Sequence, residues 1–66
     1  MQILLNGQEK IITAPCSIQD LIKQLDLQNR RIAVEVNITL IPRSRFAEHL
    51  LADNDKVEIV HAIGGG

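Results

Sequence analysis

The stretch "MQILLNGQEKIITAPCSIQDLIKQLDL" (residues 1–27) decides the fold. In "MQILLN" (1–6), Met1, Ile3 and Leu5 share one face, because strand side chains alternate. Asn6-Gly7 follows, a pair in which both residues tolerate the positive φ of a type I′ turn. "QEKIITA" (8–14) is then the returning strand. A tight two-residue turn would place Lys10 and Ile12 on the core face and Ile11 outside. A bulge would reverse that, and the sequence leaves both registers open. Pro15 stops the strand, and Ser17 with Asp20 forms a capping-box pattern. Ile18, Leu21, Ile22 and Leu25 stand at i, i+3, i+4 and i+7, the spacing of one apolar stripe on a helix of about nine or ten residues.

Downstream, "RIAVEVN" (31–37) alternates Ile32, Val34 and Val36 against Ala33 and Glu35, a half-buried strand. Asn37 opens a turn into a short strand, "ITLI" (38–41), which Pro42 ends or marks as an edge. "SRFAEHLL" (44–51) predicts a helical turn or two with Phe46, Leu50 and Leu51 inward. "ADND" (52–55) is a turn, and "KVEIVHAI" (56–63) is the last strand, with Val57 and Ile59 inward. The order is ββαβββ. A hairpin followed by one helix restricts the topology to an α+β fold: a single mixed sheet with the helix packed across one face. The first and last strands, the most regularly apolar, are expected side by side and parallel in its middle. This is the β-grasp arrangement, over residues 1–63, with 64–66 as a flexible glycine tail.

Size and composition narrow the function classes. Sixty-six residues make one domain, with a core that is marginal but feasible. The apolar residues are almost all Ile, Leu and Val, and Phe46 is the only aromatic, so no stacking platform for bases is available. The net charge of -1, with Lys and Arg scattered, argues against nucleic acid. The longest apolar runs are three residues, as at Ile3-Leu4-Leu5, against the about 18 a membrane span needs. The amino terminus reads directly into a strand, so no signal peptide is expected. One cysteine, Cys16, cannot form an internal disulfide, which fits a reducing cytosol and a cytoplasmic location.

The chemistry-bearing residues read mostly as structural. Ser17 and Asp20 are caps with no base beside them. Cys16 is a small residue at a helix entry, with no His or Lys near in sequence to activate it. His49 and His61 lack companions at metal-ligand spacing, so no metal is expected. Asp53-Asn54-Asp55 lacks the ligand spacing of a calcium loop and reads as a turn. No glycine-rich nucleotide loop and no nucleophile–base set is present, so an enzyme is not expected. Leu4, Val60 and Ala62 differ. If Ile3, Leu5, Val57 and Ile59 face the helix, these three face out on adjacent strands toward the end of the chain, a candidate docking face. Arg43 and Arg45 are cations open to an acidic partner, with nothing further to support that use.

The end "HAIGGG" (61–66) carries the functional question. Glycine costs the most to order and offers no side-chain contacts. Glycines leaving a hydrogen-bonded strand can nevertheless enter a channel too narrow for other residues and bring a terminal carboxylate into a partner's active site.

With "MQILLNGQ", "SIQDLIKQL", "AVEVN", "IPRSRFAEHLL" and "DNDKVEIVHAIGGG" in order, the chain resembles, over essentially its whole length, the ThiS-type sulfur carrier proteins of thiamin biosynthesis. These are ubiquitin-like β-grasp proteins ending in Gly-Gly. The most specific parts are "IPR" (41–43) and "VEIVHAIGGG" (57–66). Ile38 stands where glycine is usual after Asn37, which suggests a less tight hairpin turn. Phe46 replaces a common tryptophan, and Asn54 replaces a usual glycine but tolerates αL.

The resemblance implies a carrier without catalysis or bound cofactor of its own. A ThiF-like, ubiquitin-activating-type adenylyltransferase would use ATP with Mg to adenylate the Gly66 carboxylate. Sulfur, drawn from cysteine through a desulfurase, would convert it to a thiocarboxylate, and a ThiG-like thiazole synthase would take the sulfur. Gly65 and Gly64 would be the thread. The rivals are a sulfur carrier for molybdopterin synthesis or tRNA thiolation, a non-catalytic β-grasp interaction domain with an inert tail, and a small RNA-binding β-grasp domain.

Overall fold

In a computed structural model, which describes residues 1–61, Asn6 and Gly7 take φ of 50° and 83°. The chain therefore reverses through two residues, and Leu5 pairs with Gln8 across the turn. Strand β1 (Gln2–Leu5) and strand β2 (Gln8–Ile11) form the first hairpin. Ile3 lies opposite Lys10 and Gln2 opposite Ile11, so the tight-turn register is the one adopted. Ile12 is buried and Ile11 exposed, as that register requires.

Helix α1 (Ile18–Gln24) begins with the capping box read from the sequence. The Ser17 hydroxyl accepts from the Asp20 N–H at 3.0 Å, and the Asp20 carboxylate accepts from the Ser17 N–H at 3.1 Å. The helix is shorter than its apolar stripe suggested, because Asp26 turns to φ 60° directly after the capping Leu25. The Leu27 N–H then reaches the Ile22 carbonyl and the Asp26 N–H the Lys23 carbonyl, each at 3.0 Å. That is a Schellman ending with aspartate in the place glycine usually takes.

Strand β3 (Ile32–Val36) and strand β4 (Thr39–Ile41) form the second hairpin. A 3₁₀ turn, Arg43–Arg45, and strand β5 (Lys56–His61) complete the order. The sheet runs β2-β1-β5-β3-β4, with β1 and β5 parallel and the other pairs antiparallel. The mixed sheet with parallel central strands is as expected. Ile18, Leu21 and Ile22 from α1 join Ile3, Val34, Val36, Val57 and Ile59 from the sheet in one core. Burial of each such side chain stabilises by about 1.5–3 kcal/mol.

Two further expectations are corrected. The Asn37-Ile38 turn is not loosened by the missing glycine. Val36 still pairs with Thr39, and Ile38 itself takes φ 71°. The register fixes a two-residue reversal, so the misfit appears as backbone strain on a β-branched residue. Leu50, expected inward, is 61 % exposed. The chain there is extended, not helical: Ser17 bridges Leu50, and the Leu51 N–H bonds the Cys16 carbonyl at 2.8 Å. Alternation then sends Leu51 into the core and Leu50 out. Among the described residues, no helix is long and apolar enough to cross a membrane.

Candidate functional site

Of the residues singled out for function, Ala62, Gly64, Gly65 and Gly66 lie outside the described residues, as does the expected boundary at residue 63. The described structure does show the strand that leads to them. Strand β5 is the middle of five, flanked by β1 and β3. Its pairing with β3 continues to its last residue, His61 opposite Ile32. Its ladder with β1 stops earlier, at Leu5 opposite Val57. Beyond that level, Asn6 takes over. The Asn6 N–H bonds the Val57 carbonyl at 2.9 Å. The Asn6 side-chain oxygen accepts from the Ile59 N–H at 2.8 Å, and its amide nitrogen donates to the Ile59 carbonyl at 3.2 Å. Both main-chain groups of Ile59 are thus held by one side chain. Leu5, Asn6, Leu25, Leu27, Ile59 and His61 line a recess beside this end of β5.

Leu4 and Val60 point to the solvent face of the sheet from adjacent strands, as expected, and Val60 is 55 % exposed. The register nevertheless separates them. Leu4 stands opposite Lys56, four positions before Val60 on β5, a rise of about 13 Å. Glu58 lies on the same face between them and directly opposite Glu35, while Val60 faces Ala33. Leu40, 63 % exposed, adds an apolar side chain beside Glu35. Among the described residues, the apolar surface between Leu4 and Val60 is therefore interrupted by a carboxylate. Alternation assigns the face correctly, but spacing along it depends on strand register, which no single strand encodes.

The other candidates are accounted for by structure. Cys16 is buried, and burial first, then the negative charge of Asp20, pushes its thiol above the ordinary value. A thiol held protonated in this way is a poor nucleophile. Asp20 is held below the ordinary carboxylate value, first by the hydrogen bond from the Ser17 main chain and then by that from its side chain. Asp53 accepts from the Gln2 N–H at 2.8 Å, and Asp55 accepts from the Ala52 N–H at 2.7 Å and from the Asn37 side-chain amide at 2.9 Å. Asn54 takes the αL conformation its side chain tolerates, at φ 72°. These acids build the turn before β5. Arg43 donates to the Arg30 carbonyl at 3.3 Å and stands 5.8 Å from the Phe46 ring centroid, so it ties the loop after α1 to the 3₁₀ turn. Arg45 lies 3.7 Å from Glu48, both well exposed. Among the described residues, no three His, Cys, Asp or Glu side chains gather as metal ligands would.

Sequence reasoning missed the second role of Asn6. Asn6-Gly7 signals a turn, and that signal is complete without the side chain. Its grip on Ile59 depends on β5 running on past the end of β1.

A five-stranded mixed sheet with parallel central strands and one helix packed across it defines a protein of the ubiquitin-like β-grasp class. The chain belongs to the ThiS family, whose model matches residues 3–66. It is 33 % identical to the sulfur carrier protein ThiS of Escherichia coli over the full length of both. The crystal structure of the thiamine biosynthesis protein ThiS from Geobacter metallireducens superposes with a TM-score of 0.86 at 26 % identity, covering both chains entirely. The whole chain is also 38 % identical to part of the thiazole synthase of Paramagnetospirillum magneticum, of which it spans 20 % of the length.

Proposed function

We infer that this protein carries sulfur for the thiazole of thiamin, as a substrate of partner enzymes and not as a catalyst. The observation that carries the reading is the family match through residue 66, on a fold whose central strand leads to those glycines. A carboxylate is a poor electrophile, since charge and resonance protect its carbon. Activation must therefore come first. A carboxylate oxygen of Gly66 attacks the α-phosphorus of ATP, bound with Mg on a ThiF-like adenylyltransferase, and pyrophosphate leaves. Sulfur taken from cysteine by a desulfurase as a persulfide, and released from it as sulfide by a thiol reductant that becomes a disulfide, then attacks the acyl carbon. AMP departs with the C–O bonding pair, and the product is the Gly66 thiocarboxylate. Its sulfur is nucleophilic and passes to a thiazole synthase. The similarity to a segment of a protein named thiazole synthase supports that partner.

Gly64 and Gly65 thread the acceptor channel because they have no side chains. Leu4 and Val60, with Ala62, serve as apolar contacts on the docking face, interspersed with Glu35 and Glu58. The cytoplasm suits a carrier with an unpaired cysteine.

The test is mass spectrometry after incubation with the adenylyltransferase, Mg-ATP and a sulfur donor. One oxygen should be replaced by sulfur at Gly66. A single residue appended after Gly66 should abolish loading while leaving the melting temperature unchanged. Loading that survives the appended residue overturns the proposal.

A further inference from the structure

We propose that Asn6 is a positioning residue for the carried terminus, a clamp that aligns the outgoing end of β5. The role rests on the sulfur-carrier reading above. Its geometry is independent of that reading. Strand β5 must hold its direction past Val57, where main-chain pairing with β1 ends. Odd-numbered residues of this segment turn their main-chain groups toward β1, as the bonds from Leu4 to Asp55 and from Asn6 to Val57 show. In a regular parallel ladder the next N–H, that of Ile59, would bond the main-chain carbonyl of Asn6. At φ 50° the Asn6 backbone is already turning into β2, and its side-chain oxygen receives that bond instead. The amide nitrogen simultaneously satisfies the Ile59 carbonyl. A primary amide is suited to this, since it offers a donor and an acceptor side by side. Ile59 is thereby held from the β1 side and, opposite Val34, lies in the ladder with β3. Ile59 stands seven positions before Gly66, and the clamp holds the strand from which that segment departs.

The Asn6→Gly variant separates turn from clamp. Glycine takes positive φ at no steric cost, so the hairpin persists, while both bonds to Ile59 disappear. Two measurements follow. By NMR, amide exchange at Ile59 in the free protein should accelerate about tenfold or more, with Val57 unchanged. In ATP–pyrophosphate exchange with the adenylyltransferase, kcat should fall about tenfold, because the carboxylate is less often aligned. KM should stay within about twofold, because the docking face is intact.

Asn6→Asp retains an acceptor for the Ile59 N–H, and its kcat should lie between wild type and Asn6→Gly. A kcat for Asn6→Gly equal to wild type overturns the clamp, as does a change confined to KM. An Asn6→Asp variant no better than Asn6→Gly also overturns it. Failure of the wild-type protein to support any exchange overturns the carrier reading instead, whatever the amide exchange at Ile59 shows.

Discussion

The two hairpins solve one problem with different residues. Each reverses through two residues with positive φ, Asn6-Gly7 in the first and Asn37-Ile38 in the second. Each begins with an asparagine whose side chain leaves the hairpin to hold β5. Asn6 grips Ile59 late in that strand from the β1 side. Asn37 grips its start from the β3 side. It accepts from the Lys56 N–H at 2.9 Å, and its own N–H donates to the Lys56 carbonyl at 2.8 Å. The central strand is thus pinned toward opposite ends and from opposite edges. The second position differs. Gly7 occupies φ 83° without strain, whereas Ile38 occupies φ 71° with its side chain 90 % exposed and little burial in return. The turn type follows from register and asparagine. Glycine at the second position lowers its cost but is not required for it.

Breaking the asparagine should have the larger effect on stability. Asn37→Ala removes the side-chain bonds to Lys56 and Asp55 and forces alanine to φ 52°. The expected loss is about 2–3 kcal/mol, or ~10 °C or more in melting temperature for a domain of this size. A loss below about 0.5 kcal/mol in urea unfolding would show that the turn does not depend on this side chain. Next, Gly7→Ile gives the first hairpin the composition of the second. A Cβ at Gly7 meets nothing within 4 Å, and the conformational cost of a β-branched residue at φ 83° is about 1–2 kcal/mol. Chemical shifts of β1 and β2 should keep the same register. A register slip would show that glycine, and not the asparagine, sets the first turn.

The difference between the hairpins also explains what could be read from the sequence. Alternation and the Asn-Gly pair locate β1 and β2, and the capping box with the apolar stripe locates α1. Those signals are local and were legible. The choice between Lys10 inward and Ile11 inward was not, because one bulged residue exchanges the faces and only pairing decides it. The end of α1 was misjudged because aspartate at position 26 takes the left-handed conformation where glycine would have announced it. Leu50 and Leu51 were both placed inward because a helical reading groups neighbours, whereas the extended chain there separates them. Of the candidate site, the facing of Leu4 and Val60 was legible, and the carboxylate between them was not. That arrangement and the Asn6 clamp both depend on how far β5 runs beyond β1.

The smallest change sharpens the comparison most. Ile38→Gly relieves a β-branched residue of positive φ, worth about 1–2 kcal/mol. Against this, glycine adds conformational entropy to the unfolded chain, which offsets about 0.5–1 kcal/mol. The net expectation is a gain of about 0.5–1 kcal/mol, seen as a rise of several degrees in melting temperature at unchanged m-value. Ile38 lies at the tip beyond Val36 and Thr39, and its neighbour Asn37 grips β5 at Lys56, the end away from the glycines. Its replacement should therefore leave kcat in ATP–pyrophosphate exchange untouched, while Asn6→Gly lowers kcat and spares the hairpin. If Ile38→Gly instead impairs exchange, the exposed isoleucine touches a partner, and its strain is retained for contact. If both variants alter stability and neither alters exchange, the two turns are equivalent staples of the sheet, and the first has no special hold on the carried terminus.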